Sequence, residues 1–117
     1  MAERSGRRDS RAARYEDAWQ QLYLALRILA GAGAVKERLI KAWRSGIYRL
    51  ADHLLDDNFN AELSAIREAL TARTDPETGK GSVAVTVAQM SEEEAGHWSL
   101  RIMDLAMQLT RLTTGKP

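Results

Sequence analysis

The chain has no cysteine among its 117 residues, and only two histidines and two prolines. Without cysteine, a disulfide framework and a thiolate metal site are both excluded. Two histidines and no thiol leave little material for a nucleophile that is activated by a base and oriented by a third group. We therefore expect a protein that is not an enzyme and that carries no cofactor.

Long apolar runs are also missing. No stretch approaches the ~20 apolar residues that span a bilayer, and the arginine-rich start of the chain lacks the apolar centre of a signal peptide. Hydrophobic residues make up 44% and charged residues 28%, which is ordinary for a globular protein. We expect one soluble, cytoplasmic domain over residues 10–117 with no membrane partner.

Apolar residues recur with helical spacing in four segments. They predict helices at roughly 11–30, 35–55, 59–72 and 92–113, and thus an all-α, four-helix bundle-like domain. Residues 1–9 show no such spacing and are expected to be a mobile basic arm. The residues that form the four stripes are Tyr15, Trp19, Leu22, Leu26 and Leu29; Val35, Leu39, Trp43, Leu50 and Leu54; Phe59, Leu63, Ile66 and Leu70; and Ala95, Trp98, Ile102, Leu105, Leu109 and Leu112.

The central segment, residues 35–55, has the widest apolar face. Ile40 and Ile47 extend its stripe to one side, so this helix needs two partners to cover it. Gly46 lies in its middle and predicts a close helix crossing. Before it, Gly31 and Gly33 break the heptad register and predict a turn after the first helix.

A proline and two glycines over residues 75–81 predict a loop. The following residues are ambiguous, because Val83, Val85 and Val87 alternate as in a strand while Val83, Val87 and Met90 also fit one face of a helix. A lone strand would leave its backbone groups unpaired, so we predict a short extra helix at 83–89. Gly79–Ser82 does not match the full phosphate-binding loop pattern.

Glu94 and His97 stand at the Glu-x-x-His spacing that di-iron helical bundles use, and they are the metal-ligand candidates. The chain holds no second copy of the motif. Ser91 and Glu94 also form a capping box, and His97 lies away from the apolar stripe. We therefore expect no metal site, and a metal-binding helical-bundle enzyme ranks third among the functions considered. The acidic and histidine residues at 52–57 are interpreted as a solvated helix end.

Basic residues cluster near the beginning of the chain and could contact phosphates. A net charge of +1 is far from the strongly basic profile of nucleic-acid binders, so a nucleic-acid-associated protein is the alternative and not the main hypothesis. The residues of this cluster are Arg4, Arg7, Arg8, Arg11 and Arg14.

Our main hypothesis is a small non-catalytic interaction or adaptor module that acts through its helical surface, with itself as a homodimer or with another protein. Apolar residues lie outside the stripes of the first and last helices, and a contiguous exposed apolar patch usually marks an interface. A two-fold homodimer is the commonest way to bury such a patch. The candidate interface residues are Tyr23, Leu24, Ile28, Met103 and Met107.

Overall fold

The structure is a computed structural model, and it describes the backbone of residues 2–50 and 57–114 and the side chains of residues 15–50 and 57–111. Over this part of the chain, five α-helices and one 3₁₀ turn follow one another. They are α1 (Ala2–Leu29), α2 (Val35–Ser45), the 3₁₀ turn (Ile47–Arg49), α3 (Asp57–Leu70), α4 (Val83–Ala88) and α5 (Glu92–Thr114). Their order confirms an all-α fold with a short extra helix before the last one.

The core lies where α5 packs against α1, α2 and α3. α2 contacts α1, α4 and α5, so its wide apolar face is covered by more than one neighbour, as expected. The large side chains that are fully buried come from every element: Leu22 and Leu29; Leu39 and Ile47; Phe59, Leu63, Ile66 and Leu70; Val87; and Ile102, Leu105 and Leu109. No described helix has the length and apolar content needed to cross a membrane.

α1 begins at Ala2, which differs from the irregular arm expected over residues 1–9. Alanine, glutamate and arginine are strong helix formers, so this segment can be helical without an apolar stripe. The helix ends at Leu29, close to the expected position. Gly33 then takes a positive φ of 110°, and the Arg38 guanidinium donates to the carbonyl oxygens of Leu29 and Gly33. Arg38 therefore satisfies backbone acceptors that the end of α1 leaves free.

The prediction of one continuous helix over residues 35–55 is wrong. α2 ends at Ser45, Gly46 has a φ of +159°, and the chain continues as a 3₁₀ turn. A Cβ on Gly46 would lie 1.6 Å from Oε1 of Gln21, so the chain passes very close to α1 at this point. Gly46 does mark a close crossing, but it also ends the helix. Residues 51–55 of the predicted helix lie outside the described residues.

The segment between α3 and α4 is a small hairpin. Thr74 and Gly81 form an isolated antiparallel bridge, and the amide of Ser82 donates to the carbonyl of Arg73 at 2.9 Å. The hydroxyl of Thr86 on α4 accepts from the amide of Arg73 at 2.9 Å and donates to the carbonyl of Ser82. α4 thus fixes both strands of the hairpin, and the alternating valines belong to a helix.

α5 starts at a serine cap, since the Ser91 hydroxyl accepts from the amide of Glu94 at 3.0 Å. Three glutamates occupy the first turn, where negative charge is favourable to the helix dipole. Its apolar stripe faces the core, with Ile102 and Leu105 fully buried.

Candidate interaction surface

α1 and α5 lie side by side and run antiparallel. Nζ of Lys36, in the first turn of α2, donates to the carbonyl of Ala88, the last residue of α4. The helix that follows α1 therefore begins near the helix that precedes α5, which brings the end of α1 towards the start of α5. The indole Nε1 of Trp19 donates to Oγ1 of Thr110 at 2.9 Å, which joins an earlier part of α1 to a later part of α5. Thr110 in turn donates to the carbonyl of Ala106 at 2.9 Å.

Exposed apolar side chains flank the line where these two helices meet. Helical spacing from Trp19 places Tyr23 and Leu26 on the α5 side of α1, and the Trp19 and Tyr23 rings stack with centroids 5.1 Å apart. Spacing from Thr110 places Met103 and Met107 on the α1 side of α5. Leu100 lies seven residues before Met107 and therefore on nearly the same face of the helix. We call this group the α1–α5 seam: Trp19, Tyr23, Leu26, Leu100, Met103 and Met107.

The outer part of the seam is accessible to solvent. Tyr23 is 47% exposed, Met107 53% and Leu100 62%. Trp19, Leu26 and Met103 are partly buried against the core and form the floor. Because antiparallel helices advance ~1.5 Å per residue in opposite directions, Tyr23 and Met107 come to a similar height beside the Trp19–Thr110 bond.

The five interface candidates predicted from the sequence do not form one patch. Tyr23, Met103 and Met107 belong to the seam, whereas Leu24 and Ile28 lie on the other side of α1. That side faces α2 and the 3₁₀ turn, as the proximity of Gln21 to Gly46 shows. Leu24 is 44% exposed, and Ile28 is partly buried against the core. Leu100 was missed because its position outside the stripe gives no sequence signal until α5 has a neighbour.

A polar cluster occupies the opposite side of α5, where it meets α3. The Arg101 guanidinium donates to both carboxylate oxygens of Glu62, with Nη2 to Oε1 at 2.8 Å. Its carbon lies 4.8 Å from the ring centroid of Trp98. The hydrogen bond from Arg101 lowers the pKa of Glu62 below its usual value, against the opposing effect of partial burial. This bidentate pair fixes α3 against α5 and has the geometry of a structural contact.

The metal candidates Glu94 and His97 are both exposed on α5. Nε2 of His97 lies 3.5 Å from Nη1 of Arg101, and a cation at this distance disfavours a bound metal ion. Among the described residues, no group of three or more histidine, aspartate or glutamate side chains could hold a metal ion. The acidic and histidine residues at 52–56 lie outside the described residues.

The arginine cluster cannot be placed in the same way. α1 runs through positions 4, 7, 8, 11 and 14, but the side chains of Arg4, Arg7, Arg8, Arg11 and Arg14 lie outside the described part of the structure. The nucleic-acid alternative is therefore a sequence hypothesis. Comparison with known proteins gives no relative, since no family model, curated protein or solved structure matches the chain.

Proposed function

We propose that this chain is a non-catalytic helical interaction module that forms a homodimer through the α1–α5 seam. The observation that carries the proposal is the exposure of Tyr23, Leu100 and Met107 along one helix–helix junction. Large apolar side chains grouped in this way are typical of interfaces, whereas single exposed ones are ordinary. Tyrosine and methionine are also enriched at interface centres.

A second copy of the chain suits the charges beside the seam. The exposed residues on the outer side of α1 include Glu16 and Arg27, and those of α5 include Glu93, one heptad before Leu100, and Arg111. Each helix therefore presents both signs to an approaching surface. A partner of a single strong charge would meet repulsion on either helix, whereas a two-fold copy can align opposite charges around a shared apolar centre.

The seam also has a rigid base. Trp19 is held by its hydrogen bond to Thr110, and the stacked ring of Tyr23 rests against Trp19. Side chains that are already ordered lose less conformational entropy on association. A second seam packing across Tyr23 and Met107 would bury the exposed parts of both residues without rearranging the core.

Light scattering over a dilution series tests the proposal. We expect a dimer mass at micromolar concentration for the native chain. The double variant Tyr23→Glu with Met107→Glu should be monomeric with an unchanged helical circular dichroism signal, because two carboxylates would be buried at the interface. Leu24→Glu is the matched control, since Leu24 is similarly exposed on the same helix but lies outside the seam.

Two results would contradict the proposal. A native chain that is monomeric at micromolar concentration with full helix content would remove the homodimer and leave the seam for a different protein. A dimer that survives the seam substitutions but is lost in Leu24→Glu would place the interface on the other side of α1.

A further inference from the structure

A second surface, independent of the seam, has the chemistry of a small-molecule site. The end of α2, the 3₁₀ turn, the end of α3, the hairpin and the start of α4 converge on one open groove. Its lining includes Trp43, Arg44, Tyr48, Asp75 and Lys80.

Trp43 provides the first observation. Its side chain is only 6% exposed, yet its indole Nε1 makes no hydrogen bond to any described residue. No fully buried side-chain nitrogen or oxygen among the described residues lacks a partner, so this N–H must reach solvent. Trp43 is also one of the residues that line the groove, so an almost buried tryptophan with a free N–H donor stands at this surface.

The charges around the groove point to an anion. Arg44 and Lys80 are exposed and form no ion pair with the described residues. The Arg49 guanidinium adds a third positive charge next to Tyr48, with its carbon 5.5 Å from the Tyr48 ring centroid. Asp75 is the one carboxylate in the lining, and its Oδ1 already accepts from the amide of Glu77 at 2.9 Å. Hydrogen-bond donors and positive charges therefore outnumber negative charges around the groove.

Tyr48 gives the groove an apolar wall. Its side chain is 50% exposed, although it belongs to the short turn that packs beside the core. An exposed aromatic ring next to an unpaired arginine and lysine suits a ligand that has a flat ring and an oxyanion.

The hairpin that carries Lys80 is held in place. A Cβ on Gly81 would lie 2.5 Å from the backbone oxygen of Thr71, so only glycine allows the hairpin to approach α3 this closely. The amide of Asp75 donates to the carbonyl of Lys80 at 2.8 Å. The backbone that presents Lys80 is therefore fixed before any ligand binds, which reduces the entropy cost of binding.

We infer that this groove binds a small planar organic anion, whose phosphate or carboxylate oxygens accept from Trp43 Nε1, Arg44 and Lys80 while its ring lies against Tyr48. The inference does not use the phosphate-binding loop motif, which Gly79–Ser82 lacks. It also does not depend on dimer formation, because the groove and the seam share no residue.

Phenyl phosphate is the probe, because it combines an aromatic ring with a phosphate group. Inorganic phosphate keeps only the phosphate and phenol keeps only the ring, so the two serve as comparison probes. The tryptophan side-chain signals of ¹⁵N-labelled protein report binding, and Trp43→Phe identifies the Trp43 signal. We expect phenyl phosphate to shift the Trp43 indole signal in a saturable way, at lower concentration than either simpler probe. The Trp19 signal, which is hydrogen-bonded to Thr110, should stay in place.

Arg44→Ala and Lys80→Ala should each weaken phenyl phosphate binding about tenfold, the size expected for loss of one charge-assisted hydrogen bond. Lys41→Ala is the matched control, since Lys41 is exposed on α2 but does not line the groove. Circular dichroism checks that each variant is folded.

Three outcomes would overturn the inference. The first is a Trp43 signal that does not respond to phenyl phosphate at millimolar concentration. The second is an equal loss of binding in Lys41→Ala, which would mean attraction by general positive charge. The third is equal affinity for inorganic phosphate and phenyl phosphate, because the groove would then not recognise a ring.

Discussion

Gly46 and Gly96 each lie within an apolar helical segment of the sequence, but a helix ends at one of them and continues through the other. At Gly46, α2 stops and a 3₁₀ turn begins, whereas α5 continues through Gly96 without a break. A Cβ on Gly46 would collide with Gln21 of α1, while a Cβ on Gly96 would meet nothing within 4 Å. The two glycines differ in backbone conformation and in surroundings: Gly46 takes a positive φ against the Gln21 side chain, whereas Gly96 stays helical with open space beside it.

The spacing of apolar residues does not show whether the helix ends or continues at these glycines. Ile47 and Leu50 lie beyond the end of α2 and are still buried, because the 3₁₀ turn keeps their side chains on the core side. Spacing of apolar residues therefore reports which side chains are buried in both regions. It does not report whether the backbone between them is one helix.

The largest effect is expected at Trp43, in the last turn of α2 before the break. Trp43→Ala should lower the free energy of unfolding by on the order of 3–5 kcal/mol. The substitution removes a large buried side chain and leaves a cavity that the neighbouring helices α1, α4 and α5 cannot fill. A loss of this size approaches the total stability of a small domain, so the variant should be largely unfolded. Thermal unfolding followed by circular dichroism measures it. Tyr48→Ala, at a half-exposed aromatic residue nearby, should change the melting temperature little. An unchanged melting temperature in Trp43→Ala would mean that α2 does not pack as described.

The next effect separates the two glycines directly. Gly46→Ala should lower the free energy of unfolding by about 1–3 kcal/mol, since alanine is strained at this positive φ. Gly96→Ala should raise it by about 0.5–1 kcal/mol, because alanine favours a helix and has open space there. Urea unfolding of both variants measures the two changes.

A combined variant divides the Gly46 effect into its causes. Gln21 is a flexible side chain and can move aside, so adding Gln21→Ala to Gly46→Ala should recover only the steric part of the loss. Full recovery would show that the backbone conformation at Gly46 costs nothing. A stabilising Gly46→Ala would show that α2 can continue as a helix through this position.

The smallest effect is expected at the ion pair between Glu62 and Arg101, which fixes α5 to α3. Among the described ion pairs, none fixes α2 to a neighbouring helix in this way. The pKa of Glu62 is lowered in the folded chain, so the pair stabilises the fold above the ordinary glutamate pKa of about 4.3. That stabilisation is lost as the pH falls through the lower, folded value. Both side chains are partly exposed, so we expect Glu62→Gln to cost about 0.2–1 kcal/mol at pH 7.

Urea unfolding at pH 7 and at pH 2.5 measures this dependence. The difference between Glu62→Gln and the native chain should shrink at the lower pH, because a larger fraction of the native carboxylate is then protonated. Glu68→Gln, at an exposed position on the same helix but outside the ion pair, is the control for the loss of one carboxylate. A difference that stays constant with pH would mean that the charge on Glu62 does not stabilise the fold.

Much of the architecture follows from local patterns. The Phe59 to Leu70 stripe and the serine cap at Ser91 predict α3 and α5, because each depends on residues within the same segment. At the break, Gly46 packs against the side chain of Gln21, which is far away in sequence, and no local pattern contains this contact. The groove is harder still to predict, since Trp43, Tyr48 and Lys80 come from three elements. Arg44 and Tyr48 lie outside the apolar stripe of the predicted helix, and residues in such positions usually face solvent.

The hydrogen bond between Trp19 and Thr110 joins residues 91 positions apart. Pairing α1 with α5 therefore closes a loop that contains most of the chain, whereas the bond from Arg67 to the carbonyl of Leu50 closes only 17 positions. The chain entropy lost on closure grows with the logarithm of loop length, so the long closure costs about 1.5 kcal/mol more than the short one. Since the helices between them bring α1 and α5 together, the seam is expected to be among the last parts of the molecule to form. During folding, its apolar residues therefore become a defined surface only after the rest of the core exists.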